Sequence, residues 1–311
     1  MAVQVLQLCP QLPELERVLA ERFSVHRWHD AEDRDALLAA CAAEIRAVVT
    51  GGGQGIANEL MDRLPALEIV AINGVGFDKV DIAHARARGV RVTNTPDVLT
   101  DDVADLAIGL AIAALRQLPQ ADHHVRAGLW PQDELPLTRS FTRQRFGIVG
   151  LGRIGKAIAR RLEGFGVPIA YSGRTRQEVR YPFHASPAEL AAACDVLIVA
   201  AAAGPGTRHM IDAGVLAALG PMGVLVNVAR GSLVDEAALV AALESGGLGG
   251  AALDVFEHEP DVPEALRAMP ETVLAPHVGS ATVDTRRAMA DLVLANLDAH
   301  FAGQPLPTAV A

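Results

Sequence analysis

The first hundred residues alternate short apolar runs with segments whose apolar residues recur at helical spacing. This rhythm is typical of βαβ units, in which a helix connects two parallel strands. The pattern predicts strands at Val3–Leu8, Ile45–Thr50, Leu67–Ile72 and Val90–Asn94. It predicts helices at Pro13–Arg22, Asp33–Ala43, Asn58–Leu64 and Lys79–Arg88, the last of them ended by Gly89. We therefore expect a small α/β domain in this part of the chain.

A second series of apolar runs follows a long predicted helix. This helix begins at Thr100-Asp101-Asp102, where a hydroxyl and two acids favour a helix N-terminus, and continues to about Leu118. Six strands are then predicted, at Phe146–Gly150, Val167–Ser172, Asp195–Ala201, Val224–Val228, Ala251–Val255 and Val273–Ala275. Six strands would complete a doubly wound parallel sheet. A last amphipathic helix over about Thr282–Phe301 is expected to return to the first domain.

The predicted fold class is therefore α/β with two domains, a Rossmann-type doubly wound parallel sheet and a smaller flavodoxin-like α/β domain. The length of 311 residues agrees, because single cores stop growing near ~250 to 300 residues. Only 4% of the residues are aromatic although 50% are hydrophobic, as expected for parallel sheets buried on both faces. The formal net charge of −10 argues against electrostatic binding of nucleic acid or of an anionic membrane surface. A small-molecule partner fits better.

The cysteines and the N-terminal residues indicate a reducing compartment. Cys9, Cys41 and Cys194 are widely spaced and form no C-x-x-C pair, so neither a disulfide framework nor a metal site is expected. The first residues lack the basic region of a secretory signal, and no apolar run is long enough to span a bilayer. We expect a cytoplasmic protein.

The stretch Phe146–Gly155 is an apolar strand that runs directly into G-x-G-x-x-G and then into a helix. Gly150 permits the tight turn, Gly152 lets backbone amides approach a pyrophosphate, and Gly155 lets the helix pack closely on the strand. The arrangement of strand, glycines and helix predicts a dinucleotide site. The alternative is a glycine turn that binds no ligand.

The end of the next strand indicates which dinucleotide is bound. NAD-specific sites normally place Asp or Glu about 20 residues further along, at the end of the second strand. Here the strand ends in Ser172-Gly173-Arg174-Thr175-Arg176, without an acid. A guanidinium offers paired donors to the 2′-phosphate of NADP, which a carboxylate would repel. The sequence predicts NADP, with NADPH preferred over NADH; the alternative is that the arginines are solvated surface charges.

Three charged residues follow the fourth, fifth and sixth strands of the second series. In a doubly wound sheet, ligands bind at these carboxyl ends of the strands. They are Arg230, Glu259 and His277. Beside a nicotinamide they suffice to reduce a 2-keto acid. Arg230 would bind the substrate carboxylate, His277 would protonate the ketone oxygen, and Glu259 would hold the imidazole protonated. Taken singly, each has a structural alternative: an arginine bonding loop carbonyls, a helix-capping glutamate, or a core histidine.

Several motifs resemble the D-2-hydroxyacid dehydrogenase family, and within it most closely the NADPH-dependent glyoxylate/hydroxypyruvate reductases. They are VGLGRIG (149–155), VNVARGSLVDE (226–236), AALDVFEHEP (251–260) and APHVGSAT (275–282). Three earlier stretches fit too, NGVGFDKVD (73–81), NTPDVLT (94–100) and VRAGLW (125–130). The resemblance implies a discontinuous substrate domain, residues 1–98 and 285–311, joined by two hinge helices to a dinucleotide-binding domain, residues 99–284.

The resemblance also implies roles for individual residues. The catalytic residues fall on Arg230, Glu259 and His277. Substrate contacts fall on the backbone amides of Val75 and Gly76, and on Arg230, His277 and Trp130. Cofactor contacts fall on Thr100, Gly150, Leu151, Gly152, Arg153, Ile154, Gly155, Ser172, Arg174, Thr175, Thr207, Val228, Asp254 and Gly279. Asp254 would accept a hydrogen bond from the nicotinamide amide.

One departure from the family pattern and one aromatic residue affect the expected surroundings of the site. Relatives often carry a proline after the third strand of this domain, where this chain has Ala201-Ala202-Ala203-Gly204, so a looser loop is expected. Trp130 lies in a segment that crosses to the partner subunit in similar reductases. The resemblance therefore implies a homodimer; the alternative is that Trp130 packs under its own loop.

The expected activity is NADPH-dependent reduction of glyoxylate or hydroxypyruvate. One alternative is a dehydrogenase for a bulkier D-2-hydroxy acid or for 3-phosphoglycerate, the latter disfavoured because no regulatory domain follows. Another is a nucleotide-sensing binding protein with the same fold. The intact set of Arg230, Glu259 and His277 favours the enzyme.

Overall fold

The computed structural model describes residues 2–310 and divides into two compact units. One unit runs up to Leu99 and resumes at Thr282, and the other comprises Thr100–Ala281. The sequence predicts domain boundaries close to these, at 98/99 and 284/285. Met1 and Ala311, the ends of the predicted substrate domain, lie outside the described residues.

Strands and helices alternate along the described chain. The strands are β1 (Gln4–Gln7), β2 (Ser24–Arg27), β3 (Ile45–Gly51), β4 (Ile69–Asn73), β5 (Arg91–Thr93), β6 (Phe146–Val149), β7 (Ile169–Ser172), β8 (Phe183–His184), β9 (Val196–Val199), β10 (Val224–Asn227), β11 (Gly250–Leu253) and β12 (Thr272–Leu274). The helices are α1 (Pro13–Arg22), α2 (Arg34–Cys41), α3 (Asn58–Asp62), α4 (Ile82–Ala87), α5 (Thr100–Arg116), α6 (Leu118–Arg126), α7 (Arg153–Gly164), α8 (Pro187–Ala193), α9 (Ala213–Leu219), α10 (Glu236–Glu244), α11 (Glu264–Ala268) and α12 (Val283–Phe301).

The first unit is built on a parallel sheet of strand order β2-β1-β3-β4-β5, which is the flavodoxin-like order. Consecutive residues of β3, Ala47, Val48 and Val49, are all fully buried, because helices cover both faces of the sheet. One face packs against Leu15 and Leu19 of α1 and against apolar residues of α12. The C-terminal helix α12 thus packs on the sheet of the first unit.

The second unit is built on a parallel sheet of strand order β12-β11-β10-β9-β6-β7-β8. Renumbered from β6, this is the Rossmann order 3-2-1-4-5-6 with one further strand at the β12 edge. The order reverses between β6 and β9, so their carboxyl ends form the topological switch point where such sheets bind ligands. The predicted α/β class with two parallel sheets is confirmed.

The structure corrects three details of the sequence interpretation. The second sheet has seven strands and not six, because Phe183–His184 pairs with β7 as a two-residue edge strand. Ser24–Arg27 also forms an unpredicted edge strand, whose partly buried residues give no alternating pattern. The long helix ends at Arg116, since Gln117 adopts φ +49° and α6 begins with Leu118. Within residues 2–310, no helix combines the length and apolar character needed to cross a membrane.

Candidate active site

The turn after β6 allows close approach of the backbone to a ligand. Gly150 has φ +93°, which favours glycine, and a Cβ there would lie 2.5 Å from the Cα of Ala201. A Cβ at Gly155 would lie 2.1 Å from the carbonyl oxygen of Gly150, so α7 packs directly on the turn. Gly152 is the N-cap residue of α7; it has open space beside it and no side chain that could cap the helix. A helix N-terminus without a side-chain cap, approached through glycines, suits a pyrophosphate.

The segment after β7 presents cationic side chains next to this turn. Ser172 is buried, whereas Arg174, Thr175 and Arg176 are exposed. Gln177 connects the segment to the glycine turn: its N–H donates to the Tyr171 hydroxyl at 2.7 Å, and its Nε2 donates to the Leu151 carbonyl at 2.9 Å. Sequence reasoning missed Gln177, because no motif marks a side chain that bonds to a distant carbonyl.

Arg230, Glu259 and His277 follow β10, β11 and β12, which are adjacent in the second sheet. His277 Nδ1 lies 2.7 Å from Glu259 Oε2. The side chain of His277 is 37% exposed and that of Glu259 is 33% exposed, so a substrate can reach the pair. The structure thus brings these two side chains into contact at the carboxyl edge of the sheet that carries the glycine turn.

The surroundings of Glu259 hold it as a carboxylate. Burial alone would raise its pKa, but the hydrogen bond and charge of His277, the Phe256 amide and the charge of Arg230 together lower the pKa below its ordinary value. The Phe256 N–H donates to Glu259 Oε1 at 3.0 Å, which fixes the orientation of the carboxylate. Glu259 therefore presents a charged carboxylate to the Nδ1 side of the His277 ring.

Arg230 is positioned by the turn after β10. The Asn227 amide Nδ2 donates to the Arg230 carbonyl at 2.9 Å, and Arg230 Nη1 donates to the Ala229 carbonyl at 2.8 Å. A Cβ at the next residue, Gly231, would lie 1.9 Å from the carbonyl carbon of Phe256. Only glycine allows this approach, which brings the Arg230 turn against the turn that carries Glu259.

Asp254 organises the loop that carries His277. It is 1% exposed, its Oδ1 accepts from the Val278 N–H at 2.7 Å, and its Oδ2 accepts from the Gly279 N–H at 2.9 Å. Burial raises the pKa of Asp254, although the two amides act in the opposite direction. His277 itself has φ +54°, and its N–H donates to the Asp254 carbonyl at 2.8 Å. Sequence reasoning assigned Asp254 to the nicotinamide and missed this role.

The other predicted site residues lie at several places in the two units. Thr100 begins α5, Thr207 lies in a 3-10 turn after β9, and Val228 directly follows β10. Val75 and Gly76 belong to the first unit and follow β4, where the Asn94 Nδ2 donates to the Val75 carbonyl at 2.8 Å. The roles of all these residues stay predictions.

Trp130 lies after α6 and is 68% exposed in the single chain. The alternative in which it packs under its own loop is therefore not what the structure shows.

Comparisons with known proteins agree with this site. Residues 108–279 match the model of the D-isomer specific 2-hydroxyacid dehydrogenase NAD binding domain. A hydroxyphenylpyruvate reductase from Plectranthus scutellarioides is 52% identical over 99% of both chains. A glyoxylate/hydroxypyruvate reductase A from Arabidopsis thaliana is 50% identical over 99% of both chains. The crystal structure of an NADPH-dependent glyoxylate/hydroxypyruvate reductase from Sinorhizobium meliloti, in complex with NADP and malonate, is 48% identical with a TM-score of 0.95, covering 100% of this chain and 97% of that one.

Proposed function

Because the chain belongs to the D-isomer specific 2-hydroxyacid dehydrogenase family, we propose that it uses NADPH to reduce glyoxylate or hydroxypyruvate to the 2-hydroxy acid, of D configuration where chiral. Family membership makes the chain an enzyme of 2-keto acid reduction with a nicotinamide cofactor. The observation that carries the proposal is the 2.7 Å contact between His277 and Glu259 beside Arg230, on the sheet with the glycine turn.

The chain's own groups provide acid catalysis and substrate orientation. Bound NADPH would supply the hydride. Arg230 would bind the substrate carboxylate and polarise the carbonyl, since its guanidinium presents paired donors to oxygen anions. His277 would donate a proton from Nε2 to the carbonyl oxygen, because Nδ1 faces Glu259. The carboxylate of Glu259 would stabilise the charged ring before this proton is given up.

The preference for NADPH rests on the segment after β7. Arg174 and Arg176 are exposed, and neither has an ion-pair partner in the part of the chain that the structure describes. Two guanidiniums that are not neutralised by an ion pair favour a 2′-phosphate over a free ribose diol. The Sinorhizobium meliloti relative, solved with NADP, supports the same preference.

An aromatic 2-keto acid is the second candidate substrate, because the Plectranthus scutellarioides relative is a hydroxyphenylpyruvate reductase at 52% identity. Its reduction would give one of the bulkier D-2-hydroxy acids considered from the sequence. The site residues that act on the carboxylate and the ketone would be the same for both candidates.

Homodimer formation is supported by apolar side chains on one segment. Val125, Leu129, Trp130, Leu135 and Leu137 are all exposed in the single chain. Several large apolar side chains exposed along one short segment are typical of interaction sites in proteins. We propose that a second copy of the chain covers it. Cytoplasmic localisation stays a prediction.

Oxidation of NADPH and of NADH by the purified protein tests the proposed function. The substrates are glyoxylate, hydroxypyruvate, pyruvate and 4-hydroxyphenylpyruvate. We expect the highest kcat/KM with NADPH and one of the two small keto acids. A higher kcat/KM with 4-hydroxyphenylpyruvate would select the second candidate, and no turnover with any keto acid would contradict both.

A further inference from the structure

A second histidine–carboxylate pair lies on the turn that carries Glu259. Glu257 Oε1 is 2.5 Å from Arg208 Nη2 and 2.8 Å from His209 Nε2. The Glu257 side chain is only 11% exposed, whereas that of Arg208 is 57% exposed. Burial alone would raise the pKa of Glu257, but its contacts with His209 and Arg208 lower it below the ordinary value. One buried carboxylate therefore holds two side chains of another loop.

That loop is the segment Ala201–Ile211, which we name the strap. At its start, Ala201 packs against the glycine turn, 2.5 Å from where a Cβ of Gly150 would lie. At its end, Ile211 forms a parallel bridge with Val234, which comes after β10 and its turn. The strap therefore extends from the switch point of the sheet toward the Arg230 and Glu259 turns.

The backbone conformation of the strap at His209 depends on contacts with neighbouring turns. His209 has φ +51°, a left-handed conformation that is unfavourable for a non-glycine residue unless surrounding contacts hold it. Two contacts do so: the His209 N–H donates to the Ser232 carbonyl at 2.9 Å, and the ring meets Glu257. Loss of the Glu257 contact would leave His209 held by its backbone hydrogen bond, while Met210 and Ile211 of the strap still pack on the core of the unit.

We propose that Glu257 is a positioning residue for the dinucleotide, because it fixes Arg208 and His209 and thereby the strap. A dinucleotide with its pyrophosphate on the turn after β6 and its nicotinamide near His277 crosses the carboxyl ends of the intervening strands. The strap follows β9, one of those strands. The inference rests on the proposed function, since it takes the bound ligand to be a nicotinamide dinucleotide.

The test measures dinucleotide binding separately from catalysis. NADPH is titrated by fluorescence without keto acid, for the wild type, Glu257→Gln and Arg208→Ala. Glu257→Gln keeps the shape but removes the charge, and should raise the Kd about tenfold, the change that ~1.4 kcal/mol produces. Arg208→Ala should raise the Kd less, in the same direction. The kcat at saturating NADPH and its pH profile should stay close to wild type, because the His277–Glu259 pair remains.

Glu244→Gln is the matched control, because Glu244 is exposed at the end of α10 in the same unit; its Kd should equal that of the wild type. Wild-type Kd values in both Glu257→Gln and Arg208→Ala would overturn the inference. A lower kcat with a shifted pH profile and unchanged Kd would overturn it too, since Glu257 would then act on His277. If Glu257→Gln does not fold, Arg208→Ala decides, because its side chain is exposed.

A wild type that binds neither NADPH nor NADH would overturn the proposed function and this inference together. A wild type that binds and turns over, with variants that bind equally well, would overturn this inference alone. The two failures are therefore distinguishable.

Discussion

Substitution of Asp254 by Asn tests whether this buried carboxylate holds the His277 loop. Both of its oxygens accept backbone N–H groups, from Val278 at 2.7 Å and from Gly279 at 2.9 Å. An asparagine has one carbonyl oxygen, so one of the two N–H groups would face an amide NH₂ instead. The change loses one hydrogen bond and leaves a buried donor unsatisfied.

The expected magnitude follows from that loss. A hydrogen bond to a charged group contributes about 1.5 to 3 kcal/mol and a buried unsatisfied donor costs about 1 to 3 kcal/mol, so we expect roughly 2 to 4 kcal/mol of destabilisation. The His277 N–H donates to the Asp254 carbonyl, so the ring should move with the loop. A misplacement of about 1 Å costs up to about 100-fold in rate, and we expect kcat to fall roughly 10- to 100-fold.

Urea unfolding followed by far-UV circular dichroism gives the stability, and NADPH oxidation with hydroxypyruvate gives kcat. Asp261→Asn is a control for the same chemical change at an exposed residue of the unit, and should behave as the wild type. A stability and kcat of Asp254→Asn within error of the wild type would refute the reasoning. A raised Kd for NADPH without loss of stability would instead favour the nicotinamide contact predicted from the sequence.

Three further predictions concern the cofactor, the assembly and acid stability. Arg174→Ala should raise the KM for NADPH and leave the KM for NADH little changed; an equal rise for both cofactors would remove Arg174 from phosphate binding. Trp130→Ala should weaken a dimer measured by sedimentation velocity, and a wild type that sediments as a monomer would contradict the homodimer. The hydrogen bond and charge of Arg145 outweigh burial and lower the pKa of Asp195. The pair therefore stabilises above the ordinary carboxylate pKa of about 4, and this contribution is lost as pH falls through the lowered value. Asp195→Asn should have a lower free energy of unfolding in urea than the wild type at neutral pH, and the difference should shrink in acid. A difference that is independent of pH would contradict the ion pair.

Much of the fold could be predicted from the sequence because parallel strands buried on both faces appear as continuous apolar runs. The first sheet shows this at Ala47, Val48 and Val49, which are all fully buried. Edge strands do not show such runs, because β2 is partly exposed and β8 has only two residues. The break at Gln117 depends on one residue with φ +49°, followed by Pro119 near the start of α6. A helical pattern that continues across the break does not reveal it.

The candidate site could be predicted where residue type and position after a strand coincide, as for Arg230, Glu259 and His277. The residues that hold the turns and loops around the candidate site could not. Asp254 acts through two amides that lie further along the chain, and Gln177 acts through the Leu151 carbonyl. Glu257 contacts Arg208 and His209 of the strap, which lie much earlier in the sequence. Contacts of this kind arise from tertiary structure and leave no spacing in the sequence.

The most direct test of the proposed chemistry is the kcat of NADPH oxidation with hydroxypyruvate, measured for the wild type and His277→Ala. A positioned general acid contributes about 10² to 10⁴ in rate, so kcat should fall by roughly 100-fold or more while NADPH binding is retained. A variant with kcat near that of the wild type would contradict the role of His277 as the proton donor.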